Sequence, residues 1–163
     1  MKALQRNLRT LIVVHCASTM FMVGLIWTIH YVHYPLFANV GESTYVSFQD
    51  AHVERIGKVL FIPWVTEGAT LIGILALAFL GGHKTLRVAA IINGAAMSVV
   101  LVISGFWSAP AHGKLAKGFD QSVHQQLMTA NLIRSLAWSV CGVCAIWIVF
   151  TTWASDRTSS SSE

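Results

Sequence analysis

The residues able to do chemistry in this chain are few and widely spaced. They are seven histidines, one glutamate inside an apolar run (Glu67), and an asparagine and arginine one turn apart at the start of another (Asn131, Arg134). Neutral imidazole is the commonest metal ligand and suits iron, copper, zinc or nickel. His30 and His33 have the i,i+3 spacing that places both on one helix face. Helix bundles build cofactor sites from His and Glu side chains projecting inward from several helices. His30, His33, His52, His112 and His124 are therefore candidate ligands of a transition metal, with Glu67 as a further ligand or a proton carrier. An ion with an open coordination position supports redox or Lewis-acid chemistry. Glu67 is also a candidate catalytic group, because a carboxyl in apolar surroundings can act as general acid or base near neutral pH. Arg134 and Asn131 would hold an anionic or carbonyl oxygen of a substrate.

A plainer reading competes. Histidine, tryptophan and tyrosine are amphipathic and favour the headgroup region of a bilayer. Tyr31, Tyr34, Trp64 and Trp107 fall at the same level, so an aromatic belt with scattered histidines needs no ligand. Glu67 and Arg134 could equally form a structural pair. His15, deep in the first apolar run, reads as a hydrogen-bonded core histidine, and His83 as a solvated hairpin residue.

Four apolar runs must position these groups. Of 163 residues, 55% are hydrophobic and 11% charged, against about 25% charged in an average soluble domain. Mean hydropathy is +0.61. A soluble chain of this length has no interior large enough to hide so much apolar surface. The runs cover 10–29, 59–80 (interrupted by Glu67), 88–107 and 135–153. Each approaches the roughly 20 residues that cross a bilayer. Each must be helical, because in lipid every backbone polar group is satisfied within its own segment. The first is too long for a secretory signal core of about 7–15 residues and reads as a retained helix. Gly81 and Gly82 close the second run. The expected fold is all-α, an antiparallel four-helix transmembrane bundle with two partly helical outer loops. Residues 1–156 form one membrane domain, followed by a disordered Ser-rich tail at 157–163.

Lys2, Arg6, Arg9, Lys84, Arg87 and Arg157 lie on the side of the termini, and Arg55, Lys58, Lys114 and Lys117 on the other, in longer loops. The denser positive side is usually cytoplasmic. Both termini are expected inside, in a bacterial inner or plasma membrane, with loops 31–58 and 108–130 outside. The five candidate histidines then share the outer face. Glu67 lies about two turns into its span, roughly 12 Å deep at the helical rise, where a charged group normally faces the bundle interior and marks function. Residues 43–57 have helical spacing and lead into the second span. Asp120 is a good N-cap for a helix carrying His124, Met128, Asn131, Ser135 and Trp138 as one stripe.

The net charge of +4 sits beside the apolar runs as topology signals, so the partners expected are the lipid bilayer and an apolar small molecule, not nucleic acid. There is no phosphate loop, dinucleotide fingerprint or nucleophile elbow. Cys141 and Cys144 form C-G-V-C in the fourth run, which in outline resembles membrane thiol oxidoreductases that pass electrons to quinone. Those need a second cysteine pair on an outer loop, and both outer loops lack cysteine. Buried thiols in helix packing are the better explanation, and Gly73, Gly94 and Gly142 read as close-packing positions.

The stretches P-A-H-G-K-L at 110–115 and N-L-I-R-S-L-A-W at 131–138 resemble the outer-loop pattern of the anthrone-oxygenase-like family of four-helix membrane proteins. V-H-Y-P-L-F at 32–37 is similar to the end of the first span in many bacterial four-span proteins. The resemblance covers length, span count and these motifs. It implies oxygenation of aromatic polyketide rings and a shared outer site at Pro110, His112, Asn131, Arg134 and Trp138. It does not account for His30, His52 or His124. The leading expectation is a metal-dependent oxidoreductase or oxygenase acting on an apolar substrate. The alternatives are a haem- or quinone-binding electron-transfer subunit and a non-enzymatic accessory or assembly subunit.

Overall fold

A computed structural model describes residues 2–80 and 84–160. Gly81, Gly82 and His83, to which the sequence assigns a hairpin, lie outside the described residues. The helices are α1 (Lys2–Thr28), α2 (Glu42–Leu80), α3 (Lys84–Ile103), α4 (Ala109–Leu115) and α5 (Gln121–Ser160). Among the described residues four helical segments are long and apolar enough to cross a membrane: Arg6–Asn39, Glu42–Leu80, Leu86–Leu115 and Gln121–Trp153. The chain is a multi-pass membrane protein. Its lipid-facing surface is correspondingly apolar: Ile62, Phe61, Ile72, Val143 and Phe150 are each at least 65% exposed, more than a water-soluble surface tolerates in one band.

The extensive packing runs α1–α2, α2–α3, α3–α5 and α5–α1, a square in which α1 lies diagonal to α3 and α2 to α5. Small residues let the neighbours approach. A methyl group added at Gly73 would sit 3.2 Å from Leu11, and one at Gly142 3.2 Å from Val23. Gly94 is looser, its nearest neighbour being Leu75 at 3.7 Å. The end that carries the termini is closed by a purely apolar cluster that includes Ile12, Ile74, Leu86 and Ile148. The opposite end, here the histidine end, holds the larger cluster around Tyr34, Phe37, Tyr45 and Trp138.

The loop between the first two spans is helical, as its spacing requires. Residues 43–57 belong to α2, which then runs unbroken past Pro63 into the span. α5 begins at Gln121 because the Asp120 carboxylate accepts hydrogen bonds from the Ser122 and Val123 amides at 2.8 and 3.0 Å, the N-cap arrangement. Bonds from Ser122, first its hydroxyl, and from the Val123 amide hold the Asp120 carboxyl below its ordinary value. α5 continues through Ser160, into the Ser-rich stretch expected to be disordered; residues 161–163 lie outside the described residues.

Candidate functional site

The site is positioned by two backbone irregularities that periodicity does not reveal. Spans one and three each end in a π-helical turn, Ile29–His33 and Ser104–Ser108. A π-turn adds one residue to a helical turn and so rotates the chain beyond it; such turns are frequent at functional sites. After the first, a 3₁₀ turn at Pro35–Asn39 folds the chain over the bundle end and buries Phe37 completely. After the second, α4 starts with Pro110 in its first turn, where a missing N–H costs nothing, and presents His112.

Four of the five candidate histidines converge there. His33 Nε2 and His52 Nδ1 are hydrogen-bonded at 2.8 Å, and the His52 and His112 rings lie 5.3 Å apart. The Gln49 amide donates to His112 Nδ1 at 2.9 Å. Neutral His112 therefore carries its proton on Nε2 and donates it to the Tyr34 hydroxyl at 2.9 Å. His124 Nε2 donates to the Tyr34 carbonyl at 2.8 Å, which leaves its buried Nδ1 as a bare acceptor. The Arg134 guanidinium lies near the Tyr34 hydroxyl. His30 stands apart: its ring packs edge-on against Trp27 and Tyr31, with centroids 5.9 and 5.0 Å away.

Deeper in the same end, Glu67 on α2 and Trp138 on α5 meet across the diagonal. Trp138 Nε1 donates to Glu67 Oε2 at 3.0 Å, while Oε1 and the Thr19 hydroxyl have no hydrogen-bond partner among the described residues. The Arg134 guanidinium lies over the other part of the same indole, 5.5 Å from its centroid. The pairing of Glu67 with Arg134 read from the sequence does not form: Trp138 takes both contacts, and Arg134 has no ion pair among the described residues. The stripe His124, Asn131, Ser135 and Trp138 is buried as its spacing requires, and Arg134 is only 6% exposed.

Several buried polar atoms in this region have no hydrogen-bond partner among the described residues. They are His52 Nε2, His124 Nδ1, Arg134 Nε, Glu67 Oε1, both amide atoms of Asn131 and the Ser108 hydroxyl. Native interiors pair nearly all such atoms, so this end of the bundle, the polar chamber, is set apart by buried polar atoms left short of partners. As the side chains stand, no three His, Cys, Asp or Glu among the described residues are grouped to hold a metal ion, and His112 spends both its nitrogens on hydrogen bonds within the cluster.

His15 is different in kind. Its Nδ1 meets the Thr70 hydroxyl and its Nε2 the Asn93 amide, both at 3.0 Å, so the deep histidine is held across the α1–α3 diagonal with no nitrogen to spare for a haem. Cys141 and Cys144 are buried free thiols.

Sequence reasoning misses Tyr34 and Gln49. By level Tyr34 belongs to the aromatic belt beside Tyr31, yet it is 3% exposed and Tyr31 70%; the π-turn between Ile29 and His33 turns it inward. Gln49 carries a usable signal, since it lies one turn before His52 on the buried face of α2 with Tyr45.

The fold and the site together define a four-span α-helical membrane protein with a buried polar chamber at one end of its bundle. Compared with protein-family models, curated proteins and solved structures, the chain matches none.

Proposed function

We propose that the chamber binds an apolar molecule bearing an oxygen function, and that the protein is a membrane-embedded oxidoreductase acting on it with a transition metal. The observation that carries this reading is the set of buried, unpartnered polar atoms contributed by α2 and α5, above all His52 Nε2 and His124 Nδ1. Both are imidazole nitrogens open to an ion, and each ring is oriented through its other nitrogen, by His33 and by the Tyr34 carbonyl. Metal-ligating histidines are typically oriented in this way. His33, whose Nε2 meets His52 Nδ1 at 2.8 Å, orients the His52 ring and stays outside the ligand set of an ion at His52 Nε2. His112 would join only by releasing Tyr34 or Gln49. Asn131 and Arg134 receive the substrate oxygen, and Glu67 holds or moves a proton at its carboxylate. The positive-inside pattern supports an outer position for this end of the bundle. The resemblance of 110–115 and 131–138 to the anthrone-oxygenase-like family supports an oxygenase, with Pro110 supplying the start of α4.

Metal analysis of detergent-purified protein, before and after loading with iron, copper or zinc, tests the proposal. Near-stoichiometric metal is expected in the wild type, falling at least tenfold in His52→Ala and His124→Ala. A wild type that stays empty after loading removes the metal from the mechanism, and unchanged content in both variants removes these ligands.

A further inference from the structure

The charge balance of the chamber and the shape of its lipid-facing wall identify the kind of molecule it takes. Arg134 is 6% exposed, its Nε is unpartnered, and no carboxylate pairs with it among the described residues. A guanidinium stays charged under all ordinary conditions, and burying it without a counter-charge costs several kcal/mol. Glu67 is bonded to the Trp138 indole nitrogen rather than to Arg134, and the neutral groups beside the guanidinium, Tyr34 and the Trp138 ring, cannot supply a charge in contact with it. An anion bound there would, and the planar fork of arginine matches a carboxylate in bidentate geometry.

Two cavities lie near this end of the bundle. One, of about 530 Å³, opens beside His112 and carries Asp50 and Glu54 on its rim, carboxylates that repel an anion arriving from water. The other is an apolar groove of about 300 Å³ between α2 and α3, lined by Phe61, Trp64, Val65, Gly68, Met97 and Leu101. Its Trp64 wall touches Trp138, ring to ring at 5.9 Å, and Trp138 carries Arg134 on its face. Arg134 lies one turn nearer the bundle end than Trp138, and the groove runs from Phe61 towards Gly68, away from that end. An anionic head at Arg134 and an apolar tail in the groove thus have the polarity of a lipid in its own leaflet.

We infer that the ligand is a single-chain amphiphile with a carboxylate head, of the fatty-acid class, whose head pairs with Arg134 and whose tail leaves the bundle through the α2–α3 groove. This rests on the reading of the chamber as a substrate site and narrows it. One buried guanidinium fits a monoanion; a phosphate monoester head, at about −1.5 to −2 near neutral pH, would bring more charge than the site neutralises.

The test is photolabelling of the purified full chain in nanodiscs with palmitate carrying a tail diazirine, adducts being mapped by mass spectrometry. Adducts are expected on 61–68 and 97–101. Unlabelled palmitate should displace the probe at concentrations at least tenfold below hexadecanol or hexadecyl phosphate. Arg134→Gln should cut labelling at least tenfold. Gly68→Leu should do the same by filling the groove; a Cβ at Gly68 meets nothing within 4 Å, so this variant decides the matter if Arg134→Gln elutes as aggregate. Hexadecanol or hexadecyl phosphate competing as well as palmitate overturns the carboxylate while leaving an oxygen-binding chamber standing. Labelling that is unchanged in both variants overturns the route and the head site. Absence of displaceable labelling, together with absence of bound metal, sinks the substrate reading itself.

Discussion

The molecule contains two buried histidine layers, and they differ in how completely their imidazole nitrogens are used. At mid-bundle, His15 spends both nitrogens on Thr70 and Asn93, joining diagonal helices that otherwise pack only on their neighbours. At the histidine end, His52 and His124 each spend one nitrogen and leave the other buried and unpartnered. A fully paired buried polar group specifies a packing arrangement, whereas a half-paired one is costly unless it meets a partner. The contrast separates a histidine that holds the bundle together from histidines that hold something in it. Trp138 marks the boundary, with Glu67 on its indole nitrogen and Arg134 on its face.

Breaking the boundary should have the largest effect. Trp138→Ala removes a fully buried indole, which costs about 3–5 kcal/mol, and should lower both the unfolding midpoint in detergent and ligand binding. Trp138→Phe should recover most of the stability but not the Glu67 bond, so binding should stay reduced. Next, His15→Leu leaves Asn93 and Thr70 short of a partner, at a cost of about 1–3 kcal/mol. It should lower stability while metal content and fatty-acid labelling stay at wild-type levels; loss of metal in this variant would erase the division between the two layers. His52→Ala should show the reverse, an unfolding midpoint within about 1 kcal/mol of wild type and metal lost.

The smallest effect lies outside both layers. The folded Asp120 carboxyl titrates below its ordinary value of 3.8 because Ser122 and Val123 bond its charged form. Its contribution to the start of α5 is therefore complete above that value and disappears as pH falls through the lower, folded one. Circular dichroism of the wild type should show a small loss of helix below about pH 4, where carboxyls protonate. Asp120→Asn keeps a capping oxygen and should flatten that part of the profile.

Much of this architecture is legible in the sequence because lipid imposes a simple code. Apolar runs of span length must be helices, and an isolated charge such as Glu67 must turn inward. The helical character of 43–57, the Asp120 cap and the stripe from His124 to Trp138 come from local spacing. The site itself is legible only by level. Spacing places His30 and His33 on one face, but the π-turn that contains both leaves His33 in the cluster and His30 against Trp27. Tyr34 looks like a belt residue because the extra residue before it has no signature in hydropathy. The Glu67–Arg134 pair that the sequence leaves open does not form, because charge alone says nothing about an indole able to satisfy one and cover the other.

The two π-turns have a mechanical consequence. Each holds one residue more than an α-helical turn, and both sit at the same end, on spans that face each other across the diagonal. Tightening either turn to α-helical winding would pass the surplus residue onward and swing the downstream chain by about 100°, the angle per residue of a helix. Tyr34 would swing in the first case and His112 in the second, parting the bond between them. Among the described residues the termini end, sealed mostly with aliphatic side chains, carries no such turn, so this slack lies at the end where a guest would be admitted and released.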